Sequence, residues 1–295
     1  MDPRELRGVT LLALAAMALA GCGSSPKPIV VGSKNFTEQV VLGEIIAQHL
    51  EHRLGRPVRR QLNLGGTLLT YQALLNGEIS LYPEYTGTIE AEILKETPSP
   101  DPSQVFERSR LEMARREQLD LLPALGFDNS FAIVIRGEDA RRDKITTLSE
   151  AASVKHGWKL GMGYEFASRI DGMPALNKYH LPMSAPPRSM DLGLVYKALS
   201  DGQVTMIAAN TTDGQLARHD WTVLADDQHA FGSHQACILA RQDVEAAEPR
   251  LKPALLELSG KIDSGTMRQL NAAVDVDHRP AAQVAAEFLA RSGLR

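Results

Sequence analysis

The chain has 295 residues, of which 43% are hydrophobic and 23% charged, and a net charge of −4. That length can bury a large core in one or two domains, and mild acidity without clustered Lys and Arg excludes a nucleic-acid-binding surface. No run of about twenty apolar residues reads as a permanent membrane span.

Arg4 and Arg7 precede the apolar residues 9–20, a length that suits a signal peptide and is short for a span. Asp2 and Glu5 cancel those two arginines, so removing the leader leaves the net charge as it was. LAGC at residues 19–22, followed by GSSPKP, resembles the lipobox of bacterial lipoproteins. The resemblance implies a leader over residues 1–21, lipid on Cys22 and a tether over residues 22–28. A cleaved signal with a chance cysteine is the alternative. The other cysteine, Cys237, lies in the apolar run ACILA and is expected to be a small buried residue. With Cys22 lipidated, neither a disulfide framework nor a cysteine metal site is available.

IVVGS predicts a first strand. After it Leu42, Ile45, Ile46, Leu50 and Leu54 share one helical face. Asn35 and Glu38 are spaced for a capping box, and Gly55 and Pro57 end the helix. VRRQLNL is a second predicted strand, GGT a turn, LLTYQALLNGE a helix, and ISLYPEYTGT a strand then a loop. FAIVI, KLGMG, VTMIAAN, TVLADD and ACILAR are further predicted strands, with helices from about residue 250. The alternation argues for parallel α/β structure, and the length for two lobes.

Three predicted junctions, GSKNFT at 32–37, GGT at 65–67 and NTTDG at 210–214, put hydroxyls and amides where helices begin. Open sheets bind ligands beyond the carboxyl ends of their strands, where helix amides suit an anionic group. Plain helix capping is the alternative at each junction. YPEYTGT, at residues 82–88, places two of the chain's six tyrosines three positions apart.

VGSKNFTEQVVLGEI, LGGT, YPEYTGT, GFDNSFAI, EFASRIDG and TTDG, in that order, resemble the substrate-binding lipoproteins of ABC importers for glycine betaine, carnitine and choline. The resemblance runs from about residue 29 into the 240s. It implies a two-lobed α/β periplasmic-binding-protein fold of type II, with lobe 1 at residues 29–130 plus 235–295 and lobe 2 at 131–234. Hinge crossovers fall near residues 129–131 and 231–234, and ligand binding favours a closed form that a membrane permease recognises. The implied protein is extracytoplasmic and monomeric, with no cofactor, no metal and no nucleic-acid partner.

A quaternary ammonium has no N–H to donate, so aromatic faces attract it through their quadrupoles, by about 0.5–2 kcal/mol per contact. The resemblance therefore implies a cage with Tyr85 and Phe131 as rings, and Tyr82 either as a ring or as a structural side chain beneath the loop. Gln39 and Thr67 match positions for the guest's polar end, and Thr86, Asn129, Asn210 and Thr212 complete the expected site. Arg169 either clamps a carboxylate or pairs with Glu165 or Asp171 to fix its own helix. Phe131 stands where relatives commonly carry Tyr, Asn210 where an aromatic residue is frequent, and His234 in FGSHQA where a Tyr is usual. A cage short of two rings holds trimethylammonium more weakly, or holds a more polar guest.

No H-E-x-x-H, G-x-S-x-G, P-loop or G-x-G-x-x-G occurs, so no enzyme is expected. A binding module that feeds a sensor would carry the same two lobes and stands as the rival to transport.

Overall fold

The computed structural model describes residues 28–295 except 98, 100, 218 and 219; the expected leader, tether and Cys22 lie outside the described residues, save Pro28. Ten strands form two separate sheets, each with its own apolar clusters. The first is built from β1 (Val30–Gly32), β2 (Arg59–Gln61), β3 (Leu81–Tyr85) and β4 (Leu119–Leu121). The chain then leaves for β5 (Phe131–Arg136), β6 (Leu160–Met162), β7 (Arg188–Ser189), β8 (Met206–Asn210) and β9 (Trp221–Leu224). It returns through β10 (Ala236–Arg241), which inserts between β3 and β4. The strand orders are β2-β1-β3-β10-β4 and β7-β6-β8-β5-β9.

Both sheets are mixed, where the alternation of strands and helices predicted parallel ones. β1 pairs in parallel with β2 and β3, and β6 with β7 and β8. β5 and β10, the strands entered from the other lobe, run antiparallel to both their neighbours. They reach their sheet without a crossover helix, so nothing forces the parallel sense. Cys237, Ile238 and Leu239 of β10 are buried in the middle of the first sheet, as expected for Cys237. Each fully buried aliphatic side chain there contributes about 1.5–3 kcal/mol.

The helix Thr37–Leu54 packs the expected face, Leu42, Ile45, Ile46, Leu50 and Leu54, into the first core. Gly55 closes it in the left-handed region, donating to the carbonyl of Glu51. The expected capping box is absent. Phe36 is the N-cap and makes no side-chain cap bond, because Glu38 is drawn inward to other partners. After YPEY the chain forms a helical turn and then a π-helical segment, Ile89–Ile93, instead of the expected loop. β3 meets β1 at one register position, Val31 opposite Leu81, so Pro83 sits where the ladder to β1 has already ended. His49 is buried, with its ring nitrogens 2.8 and 2.9 Å from the carbonyls of Leu294 and Ala254, which makes it a core residue.

The two crossing segments are laced together. The Asp128 carboxylate accepts from the backbone N–H of His234 and the hydroxyl of Ser233, each at 2.7 Å, and the Asn129 N–H donates to the carbonyl of His234.

Candidate functional site

Between the lobes lies a cleft of about 630 Å³, part of it open to solvent. Lys34, Phe36, Tyr85 and Thr88 line it from the first lobe. Phe131, Glu165, Phe166, Arg169, Leu192 and Asn210 line it from the second, with Asn129 and His234 at the crossings. Of the expected site residues, Tyr85, Asn129, Phe131, Arg169 and Asn210 therefore reach the cleft, while Gln39, Thr67, Tyr82, Thr86 and Thr212 stand behind its wall.

Tyr82 corrects the expectation most clearly. It is wholly buried with Tyr71, Leu74, Ile79 and Ile89, and its phenol donates to Glu84 at 2.9 Å. Strand alternation explains this, since Tyr82 and Tyr85 are three apart and fall on opposite faces of β3. Tyr85 takes the face toward the first helix. Thr86 stitches the lobe to the crossing, its hydroxyl accepting from the Gln235 N–H at 3.1 Å. The Gln39 carbonyl oxygen accepts from the Lys34 N–H, and its buried amide nitrogen has no protein partner.

Glu38 organises the wall behind Tyr85. One carboxylate oxygen accepts from the Tyr85 phenol and the Asn129 amide, each at 2.7 Å. The other accepts from the Thr212 hydroxyl at 2.5 Å and the Asn271 amide at 2.9 Å. Burial pushes the Glu38 carboxyl above its ordinary value, against the pull of these four neutral donors. Burial, with the Glu38 charge beside it, also raises the Tyr85 phenol well above the usual range, so it remains a donor. Sequence reading gave Glu38 to helix capping and missed it, although it sits within the SKNFTEQ motif.

Of the four phenyl and phenol rings that line the cleft, Tyr85 and Phe131 come from opposite lobes, and each faces a cation of the chain itself. The Lys34 ammonium lies 5.0 Å from the centroid of Tyr85, and the Arg169 guanidinium 5.1 Å from that of Phe131. Phe36 stacks on Tyr85, and Phe166 meets Phe131 edge-on. Both cations are charge-paired. Lys34 donates to buried Glu84 at 2.5 Å and to Thr67 at 3.3 Å. Arg169 forks onto Asp171 at 2.8 and 2.5 Å and reaches Thr88 across the lobes at 3.3 Å. His234 Nε2 lies 2.8 Å from Asp171, so the residue replacing the usual Tyr joins this ion pair. Burial alone would raise the Asp171 carboxyl, but the hydrogen bonds from Arg169 and His234 outweigh it and hold the group well below the usual carboxylate range. Arg169, the C-cap of the helix Tyr164–Ser168, thus pairs with Asp171, one of the two structural partners expected for it.

The sequence suggests Glu165 as a partner for Arg169, whose charge it does feel, without forming the pair that Asp171 forms. The Glu165 carboxylate instead lies at the start of the helix Thr67–Leu75, accepting from the Thr67 N–H at 3.4 Å, and a Cβ on Gly66 would collide with it. Among the described residues no group of His, Cys, Asp and Glu side chains is placed to hold a metal ion.

Two five-stranded sheets joined by two crossings, with a polar and aromatic cleft between them, define a type II solute-binding protein. The family model for the substrate-binding domain of ABC-type glycine betaine transport systems matches residues 27–291, and the chain belongs to that family. A Helicobacter pylori ergothioneine transport permease/ergothioneine binding protein is 33% identical over 96% of this chain, which spans 51% of that relative's length. A glycine-betaine-binding protein of Pseudomonas aeruginosa is 31% identical, with 94% of this chain and 92% of the relative covered. Among solved structures, a glycine betaine/carnitine/choline ABC transporter superposes with a TM-score of 0.78 at 27% identity, covering 90% of this chain and 99% of that one.

Proposed function

We propose that the protein is the extracytoplasmic solute-binding component of an ABC importer, that it captures a small quaternary-ammonium solute between its lobes, and that it presents the closed form to a membrane permease. The observation that carries the reading is the pair of rings, Tyr85 from one lobe and Phe131 from the other, each already engaged with a positive charge at about the distance of a cation–π contact. Rings facing each other across a hinge make closure dependent on the guest, because each contributes fully only when the lobes meet. Cys22 carries the lipid anchor in this reading, and the protein acts as a monomer.

Calorimetric titration with glycine betaine, choline, carnitine, proline betaine and ergothioneine tests it. Heat with at least one of them, with an affinity weakened in Tyr85→Ala, is expected. Binding only of an uncharged or wholly anionic solute would overturn the ligand class and leave the family untouched. Ergothioneine enters because a relative named for it is 33% identical and because Asn210 and His234 stand at expected ring positions. It is itself a trimethylammonium betaine, with ring N–H groups that a polar wall can receive.

A further inference from the structure

The charges around the cleft do not cancel. Lys34 and Arg169 are each matched by a buried carboxylate, Glu84 and Asp171. Two further carboxyls, Glu38 and Glu165, add negative charge to that balance, Glu165 within the field of Arg169. Glu38 is satisfied by four neutral donors behind Tyr85. Glu165 is exposed at the mouth, with the Thr67 N–H as its hydrogen-bond partner. The helix amide end that a ligand's carboxylate would seek is thus covered by a carboxylate of the protein itself, and the bare Gly66 lets it approach.

We propose that Glu165, with the Glu38 carboxylate deeper in the wall, makes this cleft select a guest of net positive charge, a choline-type quaternary ammonium alcohol, over a zwitterionic betaine. The inference rests on the quaternary-ammonium reading above and names the class within it. A choline-type cation meets an excess of carboxyl groups over cations around the cleft and offers a hydroxyl to the wall. The buried Asn129 amide oxygen and His234 Nδ1 both lack a protein partner there. A betaine carries the same cationic head but must bring its carboxylate beside Glu165 or displace it from the Thr67 N–H. Like charges at that separation oppose binding, and exposure of Glu165 makes the opposition dependent on salt.

The test is calorimetry with choline and glycine betaine on the unmutated protein and on Glu165→Gln, which keeps the shape and removes the charge. Far-UV circular dichroism and a thermal melt establish that the variant is folded, and Glu165→Lys is a second arm. The unmutated protein is expected to bind choline more tightly than glycine betaine. The ratio of the two affinities should fall by about three- to thirtyfold in Glu165→Gln, the effect of one unit charge at a partly solvated site. It should fall further in Glu165→Lys, and in the unmutated protein it should shrink as salt is raised. Both ligands binding with a ratio that neither substitution moves would overturn the charge-selection inference while the functional reading stood. No heat from either ligand, or from any other quaternary ammonium, with the unmutated protein would overturn the functional reading and this inference with it.

Discussion

Glu38→Ala removes an acceptor shared by four donors, and the structure sets the size of the loss. The Asn271 amide keeps a second acceptor, the Thr212 carbonyl at 2.9 Å, and the Thr212 hydroxyl is free to rotate. The Tyr85 phenol and the Asn129 amide are left with nothing comparable. Two buried donors without an acceptor cost about 1–3 kcal/mol each. Relief of the burial penalty on the carboxylate itself, visible in its raised pKa, offsets part of that. The net destabilisation is therefore about 2–4 kcal/mol, a large share of the ordinary stability of a domain. Glu38→Gln should cost only about 1 kcal/mol. Its remaining oxygen can serve Tyr85 and Asn129, and its amide can donate to the Thr212 hydroxyl and to the Asn271 amide oxygen, which has no partner at present. Urea unfolding followed by tryptophan fluorescence and circular dichroism gives both values, provided the slopes agree. A Glu38→Ala protein within about 0.5 kcal/mol of the parent, or a Gln variant as damaged as the Ala one, would refute the account of the network.

Asp171→Ala leaves the buried guanidinium of Arg169 unpaired and should cost about 3–5 kcal/mol in the same assay, whereas Arg169→Met/Asp171→Leu together should cost less. Because the folded-state pKa of Asp171 is depressed, its contribution is present above the ordinary carboxyl value of 3.8 and is lost as pH falls below it, so acid unfolding of Asp171→Ala should be the flatter curve. Burial pushes Asp213 the other way, from 3.8 up to about 6. The folded state then binds the extra proton between those values, stability from this group falls as pH rises through the window, and Asp213→Asn should flatten melts recorded across it. Tyr82→Phe loses the hydrogen bond to Glu84, worth about 1.5–3 kcal/mol of stability, and should leave ligand affinity unchanged. Tyr85→Ala should weaken a quaternary-ammonium guest by about three- to thirtyfold. Equal losses of affinity in both would contradict the placement of Tyr82 behind the wall.

Eight of the strands and the first long helix were legible because each carries an apolar pattern of its own period: Leu42 through Leu54 could face only one way, and ACILAR only inward, whereas the short strands β4 and β7 and the highly charged helix Pro102–Glu117 were not read. The sense of β5 and β10 was not legible, since strand direction depends on which lobe the chain has just left. Motif order brought Tyr85, Asn129, Phe131, Arg169 and Asn210 to one cleft. The charged residues that govern it were harder to read. Lys34, Glu38 and Glu84 look like solvent residues in a one-dimensional chain, and each is buried only because a partner distant in sequence neutralises or satisfies it. Glu38 also fitted a local rule, the capping box, and that rule lost to three-dimensional partners worth more than one cap bond. A Lys and a Glu inside the same specific motif, SKNFTEQ, were the available signal.

The contacts between the lobes are unequal, and the inequality says how the cleft opens. Beside the crossings, the Thr211 N–H donates to the Ser130 carbonyl, Thr212 is held by Glu38 and Asn271, Arg268 donates to the Thr211 carbonyl at 2.8 Å, and Gly214 packs against the backbone of Ala272 so closely that a Cβ would overlap it. Separating the lobes there would strand several buried polar groups at once. At the other edge, the contact from Glu165 to the Thr67 N–H is long and only partly buried, and Arg169 reaches Thr88 through a single 3.3 Å bond while keeping its fork on Asp171. Opening at that edge costs little, since water replaces what is lost. The lobes should therefore rotate about the Glu38 network, with Glu165 at the moving lip. The carboxylate at the pivot, Glu38, is then buried behind Tyr85, and the carboxylate proposed to bias the charge of the guest, Glu165, stands at the exposed lip.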